Sequence, residues 1–340
     1  MPIQSVDQLE NVLSEPTPEV IALMREHRGD MIFLGVAGKM GPTLARMARR
    51  ASDAAGARRR IIGVSRFSNQ SQMDALERHG IEALRCDLLN ESALQDLPDV
   101  PNVFYLAGMK FGATGQEAAT WAMNTHLPAL ICKKYQGSRI VAFSTGNVYG
   151  LTPVTNGGSV ETDAPNPVGE YAMSCLGRER MFEYFSRALN IPVALIRLNY
   201  ACELRYGVLV DIAQQVFAGR TIDVSMGHLN TIWQADANAM TLLALAHTSS
   251  PPFVINQTGP EVLNIRAVAH EFGRRMSKPV SSAGREASTA LLSNAGLSFK
   301  LFGKPRVGAV QMMDWISNWV THGGTTLGKP THFESRDGKF

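Results

Sequence analysis

Cysteine is sparse: Cys86, Cys132, Cys175 and Cys202 are the four in 340 residues, and no two lie close enough to form a paired motif. That spacing excludes a zinc ribbon, a dithiol redox centre and a disulfide scaffold, and predicts four reduced thiols. A dominant charge is lacking too, with 33 Lys and Arg against 30 Asp and Glu and a formal net charge of +3. The one basic cluster is Arg58, Arg59 and Arg60. So even a balance argues against a nucleic-acid partner and suits a small anionic ligand better. Apolar runs such as "IPVALI" are too short to span a bilayer, and the opening "MPIQSVDQLENVLSEPTPEV" has neither a basic leader nor an apolar h-region. The expectation is a cytoplasmic protein with no membrane partner and no metal.

What is present is apolar material, 45% of the chain, enough for one large core and a smaller lobe. Seven strand-like runs, "MIFLGV", "RIIGVS", "EALRCD", "NVFYLAG", "RIVAFST", "PVALIRLN" and "PFVINQT", alternate with stretches of mostly helical periodicity. Continuous apolar strands separated by helices predict an α/β fold, a Rossmann-type doubly wound parallel sheet with a smaller C-terminal α/β substrate lobe. The boundaries read as a helical extension over 1–29, broken near Pro16 and Pro18, and a dinucleotide-binding domain over 30–198 to which 232–258 returns. Residues 199–231 and 259–325 form the substrate lobe, and 326–340 a polar tail that packs over the surface.

"MIFLGVAGKMGPTLARMARR" is a strand, a glycine turn at Gly35, Gly38 and Gly41, and a helix opening near Pro42. Glycines let a backbone approach a pyrophosphate, and the helix N-terminus offers free amides and a positive dipole end. Lys39 and Met40 lie within this cradle. In "IIGVSRFSNQ" the second strand ends on Ser65 and Arg66 instead of a carboxylate, which tilts the choice from NAD toward NADP. Asp87, with Leu88 beside it, is placed either to accept from an adenine amino group or to cap the next helix.

These features, with "VFYLAGMKFG", "VAFSTGNVYG" and the Tyr-x-x-Ser of "EYAMSCLGRER", resemble the extended short-chain dehydrogenase/reductase family, the NAD(P)-dependent sugar epimerases and dehydratases. The likeness covers roughly residues 31 to 320. "AGMKFG" is similar to a loop of UDP-galactose 4-epimerase, which implies that Leu106, Ala107, Gly108 and Lys110 approach the cofactor, with Lys110 near the nicotinamide ribose and the substrate. Asn124 falls where the family has a structural asparagine. The likeness makes Thr145 the catalytic hydroxyl, with Ser144 able to share or take its role; alternation along a strand lets only one face the cleft. Tyr171 is the acid/base and also a cofactor contact.

The departure is Cys175, which stands four residues after Tyr171 where family members carry lysine. There an ammonium binds the ribose and lowers the tyrosine pKa, and a neutral thiol supplies neither effect. Without a substitute the phenol sits near its ordinary value of about 10. Three accounts stay open. Lys110 or Arg178 replaces the cation, Tyr171 works as an acid and not a base, or the chain binds its cofactor without catalysis.

On the substrate side the likeness puts Asn199 where nucleotide-sugar enzymes hold a diphosphate. Asn147, Arg205 and His228 are further candidate contacts, Arg197 is as apt to pair structurally, and Asp236 is expected to cap the following helix. The implied function is an epimerase, dehydratase or reductase of a sugar or other small carbonyl compound, using NADP or NAD. The alternative is a noncatalytic cofactor-binding regulator. A homodimer through helices near 118–135 and 171–189 is also implied.

Overall fold

In the computed structural model, which describes residues 2–110 and 115–338, each of the seven apolar runs supplies a strand of one parallel sheet. They are β1 (Met31–Leu34), β2 (Ile61–Ser65), β3 (Glu82–Arg85), β4 (Asn102–Tyr105), β5 (Arg139–Thr145), β6 (Val193–Leu198) and β7 (Phe253–Gln257). Their order is β7-β6-β5-β4-β1-β2-β3, with every pairing parallel. The chain steps outward from β1 to β3 and then returns to the other side of β1. The crevice between β1 and β4 is therefore the switch point at which doubly wound sheets bind ligands. β1 and β4 are buried at every position because helices cover both faces, which is why neither alternates polar with apolar.

The helices are α1 (Val6–Leu13), α2 (Pro18–Glu26), α3 (Gly41–Ala54), α4 (Gln70–Glu77), α5 (Glu91–Gln95), α6 (Glu117–Trp121), α7 (Leu127–Lys134), α8 (Gly169–Leu189), α9 (Val208–Phe217), α10 (Gln234–Leu243), α11 (Ile265–Met276), α12 (Gly296–Phe302) and α13 (Ala309–Thr321). A π-helical turn, Ala122–His126, joins α6 to α7. Side chains alternate across the strands, so the sheet divides two cores. Phe33 and Phe104 stack at 4.7 Å in the larger one, with Leu44 and Met47 of α3. Ile32 and Tyr105 belong to the other, with Leu127 and Ile131 of α7 and Phe182 of α8.

The N-terminal helices are part of the larger core, since Leu9, Leu13, Val20 and Met24 are all fully buried. Ser5 and Thr17 cap them by accepting from Gln8 and Val20 amides. Outside the large sheet the chain forms short two-stranded pairings, such as Ala201–Cys202 with Ile232–Trp233 and Ile222–Asp223 with Ser282–Ala283, and the packed helices α9, α11 and α13.

Asp236 corrects one expectation. It lies inside the first turn of α10 and does not cap it. Its carboxylate accepts from Arg306 Nε at 3.2 Å and the Val307 amide at 3.0 Å, tying the segment before α13 to α10. The tail folds back as a strap. Asp211 Oδ2 accepts from the Thr331 amide and hydroxyl, Phe333 is buried, and Arg336 donates to the Thr289 carbonyl at 2.8 Å.

Candidate active site

The three glycines of the first turn are needed for different reasons. Gly35 has φ +89°, and a Cβ there would come within 2.6 Å of the Ala107 amide nitrogen at the end of β4. A Cβ on Gly41 would meet the Val36 carbonyl oxygen at 2.0 Å. Gly38 has room: its nearest neighbour would be the Gly35 carbonyl at 3.4 Å. Gly35 and Gly41 thus serve close packing, whereas Gly38 leaves an open backbone beside the start of α3. That helix has Pro42 in its first turn, no acidic residue there and no side-chain cap. The turn fits the phosphates of a dinucleotide, because uncapped amides at a helix start are an anion site.

Lys39 leaves the turn. Its Nζ donates to the Ala201 carbonyl at 2.7 Å and lies 4.6 Å from the centre of the Tyr206 ring. Burial lowers its pKa to about 8, with Glu203 acting in the opposite sense. Ser65 ends β2 and Arg66 after it is exposed, while Phe67 turns inward at φ +44°. Asp87 is exposed and accepts from the Leu89 amide; Leu88 is buried, and Asn90 caps α5. Leu106 extends β4 by donating to the Leu34 carbonyl at 2.8 Å.

Asn124, fully buried in the π-helical turn, fixes the loop after β4. Its side chain accepts from the Met109 amide at 2.9 Å and donates to the Met109 carbonyl and to Ser174 Oγ, both at 3.0 Å. Arg178 of α8 completes this latch by donating to Asn124 Oδ1 at 2.6 Å and to the Phe143 carbonyl at 2.8 Å. A Cβ on Gly108 would strike Arg178 Nη2 at 2.4 Å, so the loop passes directly over the guanidinium. Of "AGMKFG", Phe111 and Gly112 lie outside the described residues.

Tyr171, in the first turn of α8, shares hydrogen bonds with Thr145 and with Cys175 one turn along. Burial, and next the Cys175 thiol, push its pKa well above the ordinary value, opposed by Arg178 and the Thr145 hydroxyl. Cys175 is fully buried among Val148, Tyr149 and Leu176, and burial raises its pKa as well. Lys110 Nζ lies 5.8 Å from the centre of the Tyr171 ring, and burial brings its pKa down to about 8. Ser144 and Thr145 both border the cavity beside Tyr171, and Thr145 is the one that hydrogen-bonds Tyr171. Ser144 donates to Glu179 at 2.5 Å, and Glu179 forms a buried ion pair with Arg197 at 2.7 Å.

Lys39, Met40, Lys110, Ser144, Thr145, Asn147, Tyr171 and Asn199 all border one cavity of about 160 Å³. Asn199 is buried and donates to Asn230 Oδ1 at 2.7 Å. Arg205 and His228 do not line this cavity. Arg205 pairs with Glu10 at 2.6 Å and Glu203 at 3.1 Å and borders a neighbouring hollow. His228 sits in a short strand opposite Asn264. Tyr200, Tyr206 and Thr331 also line the cavity and went unnoticed in the sequence. The two tyrosines lie in "IRLNYACELRYG", whose position after a sheet strand marks it as substrate-side; nothing local marks Thr331. Among the described residues no group of three or more His, Cys, Asp or Glu could hold a metal, and no helix is long and apolar enough to cross a membrane.

The profile of the NAD dependent epimerase/dehydratase family matches residues 31–202, just over half of the chain. The chain belongs to that family, a group of NAD-dependent enzymes of the extended short-chain dehydrogenase/reductase class. Among solved structures, UDP-glucuronic acid 4-epimerase from Bacillus cereus, in complex with UDP-glucuronic acid and NAD, is similar at 17% identity and a TM-score of 0.71. The match covers 86% of this chain and 99% of that one. The dTDP-glucose 4,6-dehydratase of Streptomyces venezuelae, with NAD bound, is similar at 15% identity and a TM-score of 0.73, covering 86% of this chain and 97% of that one. UDP-glucose 4-epimerase from Thermotoga maritima, with UDP-glucose, gives 15% identity and 0.70, with 86% and 99% covered. No curated protein matches this sequence.

Proposed function

We propose that the protein is an NAD(P)-dependent epimerase, dehydratase or reductase of a sugar or sugar derivative, with Tyr171 as its acid. The observation that carries this reading is the convergence of Thr145, Tyr171 and Lys110 on one cavity at the mouth of the β1–β4 crevice. A bound nicotinamide would supply and accept the hydride. Gly35, Gly38 and Gly41 would hold its diphosphate, and Arg66, beside Ser65, favours the 2′-phosphate of NADP.

With its pKa held high, Tyr171 keeps its proton at neutral pH. It is then suited to give that proton to a substrate oxygen as a carbonyl becomes an alcohol, while Thr145 orients the same oxygen. The phenolate left behind is a costly species near pH 7 and regains its proton from water or, in the reverse direction, from the alcohol. Lys110 supplies the nearest positive field on the cavity side and Arg178 that on the core side. Turnover measured at 340 nm with reduced cofactor and carbonyl substrates tests the assignment. Tyr171→Phe is expected to abolish it while cofactor affinity is unchanged; retained turnover would overturn the role of Tyr171.

Cys175 in the lysine position favours a second reading, a cofactor-binding protein without turnover. Cys175→Lys separates the two: a rise from no activity to measurable activity supports this second reading. For assembly we infer a homodimer through α6, α7 and α8, which expose Trp121, Met173 and Tyr184 at 37%, 46% and 63%. Light scattering that shows only a 37.0 kDa species would refute it.

A further inference from the structure

The tail crosses from the front of α9 to the front of α8 in one pass. At one end the Leu327 amide donates to the Arg205 carbonyl at 3.0 Å, just before α9. At the other, Gly338 lies so close to the start of α8 that a Cβ on Gly169 would meet its carbonyl oxygen at 2.5 Å, two residues before Tyr171. Between these ends Thr331 and Phe333 are buried, and Arg336 donates to the Thr289 hydroxyl at 2.6 Å and carbonyl at 2.8 Å. His332, flanked by the two buried residues, has φ +52°, a left-handed conformation that a side-chain-bearing residue keeps only where its neighbours are fixed. The strap has one defined seat.

That seat is the rim of the cavity beside Tyr171. Thr331 lines the cavity, Ser335, Arg336 and Gly338 border the hollow that shares Asn147 and Tyr200 with it, and Lys329 and His332 border the hollow at Arg205. The strap is the wall common to all three, and its removal would open the cavity to both hollows. Asp211, in the first turn of α9, sets the position of Thr331. Its Oδ2 accepts from the Thr331 amide at 2.8 Å and from the hydroxyl at 2.6 Å, two bonds that hold the carboxylate ionised against the upward push of burial. Asp211 does not line the cavity itself; apart from its field at Lys110 and Tyr206, it reaches the site through Thr331.

We infer that the strap over residues 327–338 is a working wall of the active site, that it keeps water off the nicotinamide, and that Asp211 is the positioning residue that seats it through Thr331. Hydride transfer gains from such exclusion, because water competes for the fixed groups that orient the reacting atoms. The inference rests on the functional reading above, which brings a nicotinamide to this cavity.

The test is acrylamide quenching of the nicotinamide emission of bound NADH, or of NADPH where that binds more tightly, with the full chain in excess. In the wild type the bound ring is expected to be quenched at least about threefold less than in free cofactor. Asp211→Ala is expected to raise quenching about twofold or more, while Thr331→Ser, which keeps both donors, stays at the wild-type value. A chain ending at Thr325 should be quenched most, with cofactor affinity within about threefold of wild type because the phosphates are held at the glycine turn. In that shortened chain Asp211→Ala should add nothing, since the partner is gone. A further rise there would show that Asp211 acts by another route and would overturn its positioning role. Wild-type quenching equal to that of free cofactor, or no increase in Asp211→Ala, would overturn the inference, and so would no increase in a folded shortened chain. Should the shortened chain not fold, Asp211→Ala and Thr331→Ser in the full chain decide by the same comparison. Those results leave the epimerase/dehydratase reading standing; a wild type that binds neither reduced cofactor removes that reading and this inference with it.

Discussion

Arg178 donates to Asn124 Oδ1 at 2.6 Å, joining α8 to the π-helical turn beneath the loop after β4. Asn124 in turn holds both backbone groups of Met109. The position of Lys110, one residue on, therefore depends on a guanidinium in another element. Arg178→Met would leave a buried amide oxygen and the Phe143 carbonyl short of a charged donor, each such bond contributing about 1.5–3 kcal/mol. We expect NADH affinity to fall about tenfold, the equivalent of one of these bonds. Fluorescence titration checks it, and unchanged affinity would show that the latch does not position the loop.

The glycines of the first turn should separate folding from binding. Gly41→Ala places a methyl 2.0 Å from the Val36 carbonyl oxygen, so chemical denaturation should show a loss of about 1–3 kcal/mol or more. Gly38→Ala meets nothing closer than 3.4 Å and should leave stability within ~0.5 kcal/mol of wild type. Its methyl occupies the open side of the turn, and NADH affinity should drop at least tenfold. Equal effects of the two substitutions on stability would contradict the division.

Glu179 and Arg197 are both nearly buried, 3% and 6% exposed at the side chain, and Ser144 and Tyr149 complete their network. Removing one partner leaves a charge without its counterion. Glu179→Ala is expected to cost about 3–5 kcal/mol of stability in urea unfolding. A cost under about 1 kcal/mol would show that water reaches Arg197 instead.

The strands at the middle of the sheet were legible because both of its faces are covered there, which keeps β1, β2 and β4 buried along nearly their whole length, whereas β3 at the edge is exposed at both ends. The glycine turn was legible from its place between a strand and a helix. The two residues Ser144 and Thr145 could be separated in principle by strand alternation, though not told apart without knowing which side faces Tyr171. The direction of Lys39 was not legible. A lysine between two cradle glycines reads as a phosphate contact, and only the tertiary approach of Ala201 and Tyr206 turns it into the cavity wall. Thr331 was hidden for a related reason, since its partner Asp211 lies 120 residues away. Asp236 misled because an acid at a helix start usually caps it, whereas here the segment at Arg306 and Val307 claims the carboxylate.

All four cysteines are free and buried, and burial pushes Cys132 and Cys202 up to about 12. Cys175 and Cys86 are also raised. None should react quickly with an aromatic disulfide reagent in the native protein at pH 8, because thiolates are the reactive form. All four should react in denaturant. Fast native labelling at Cys175 would mean that the thiol beside Tyr171 is open and ionised.

The central claim is that the turn from Gly35 to Gly41 grips a pyridine dinucleotide. Its most direct test is titration of the purified chain with NADH and NADPH, followed by energy transfer from tryptophan to the reduced nicotinamide. Saturable transfer with at least one of the two, tighter for NADPH if Arg66 reads the ribose, is the predicted result. A folded protein that shows no saturable signal with either would contradict the account.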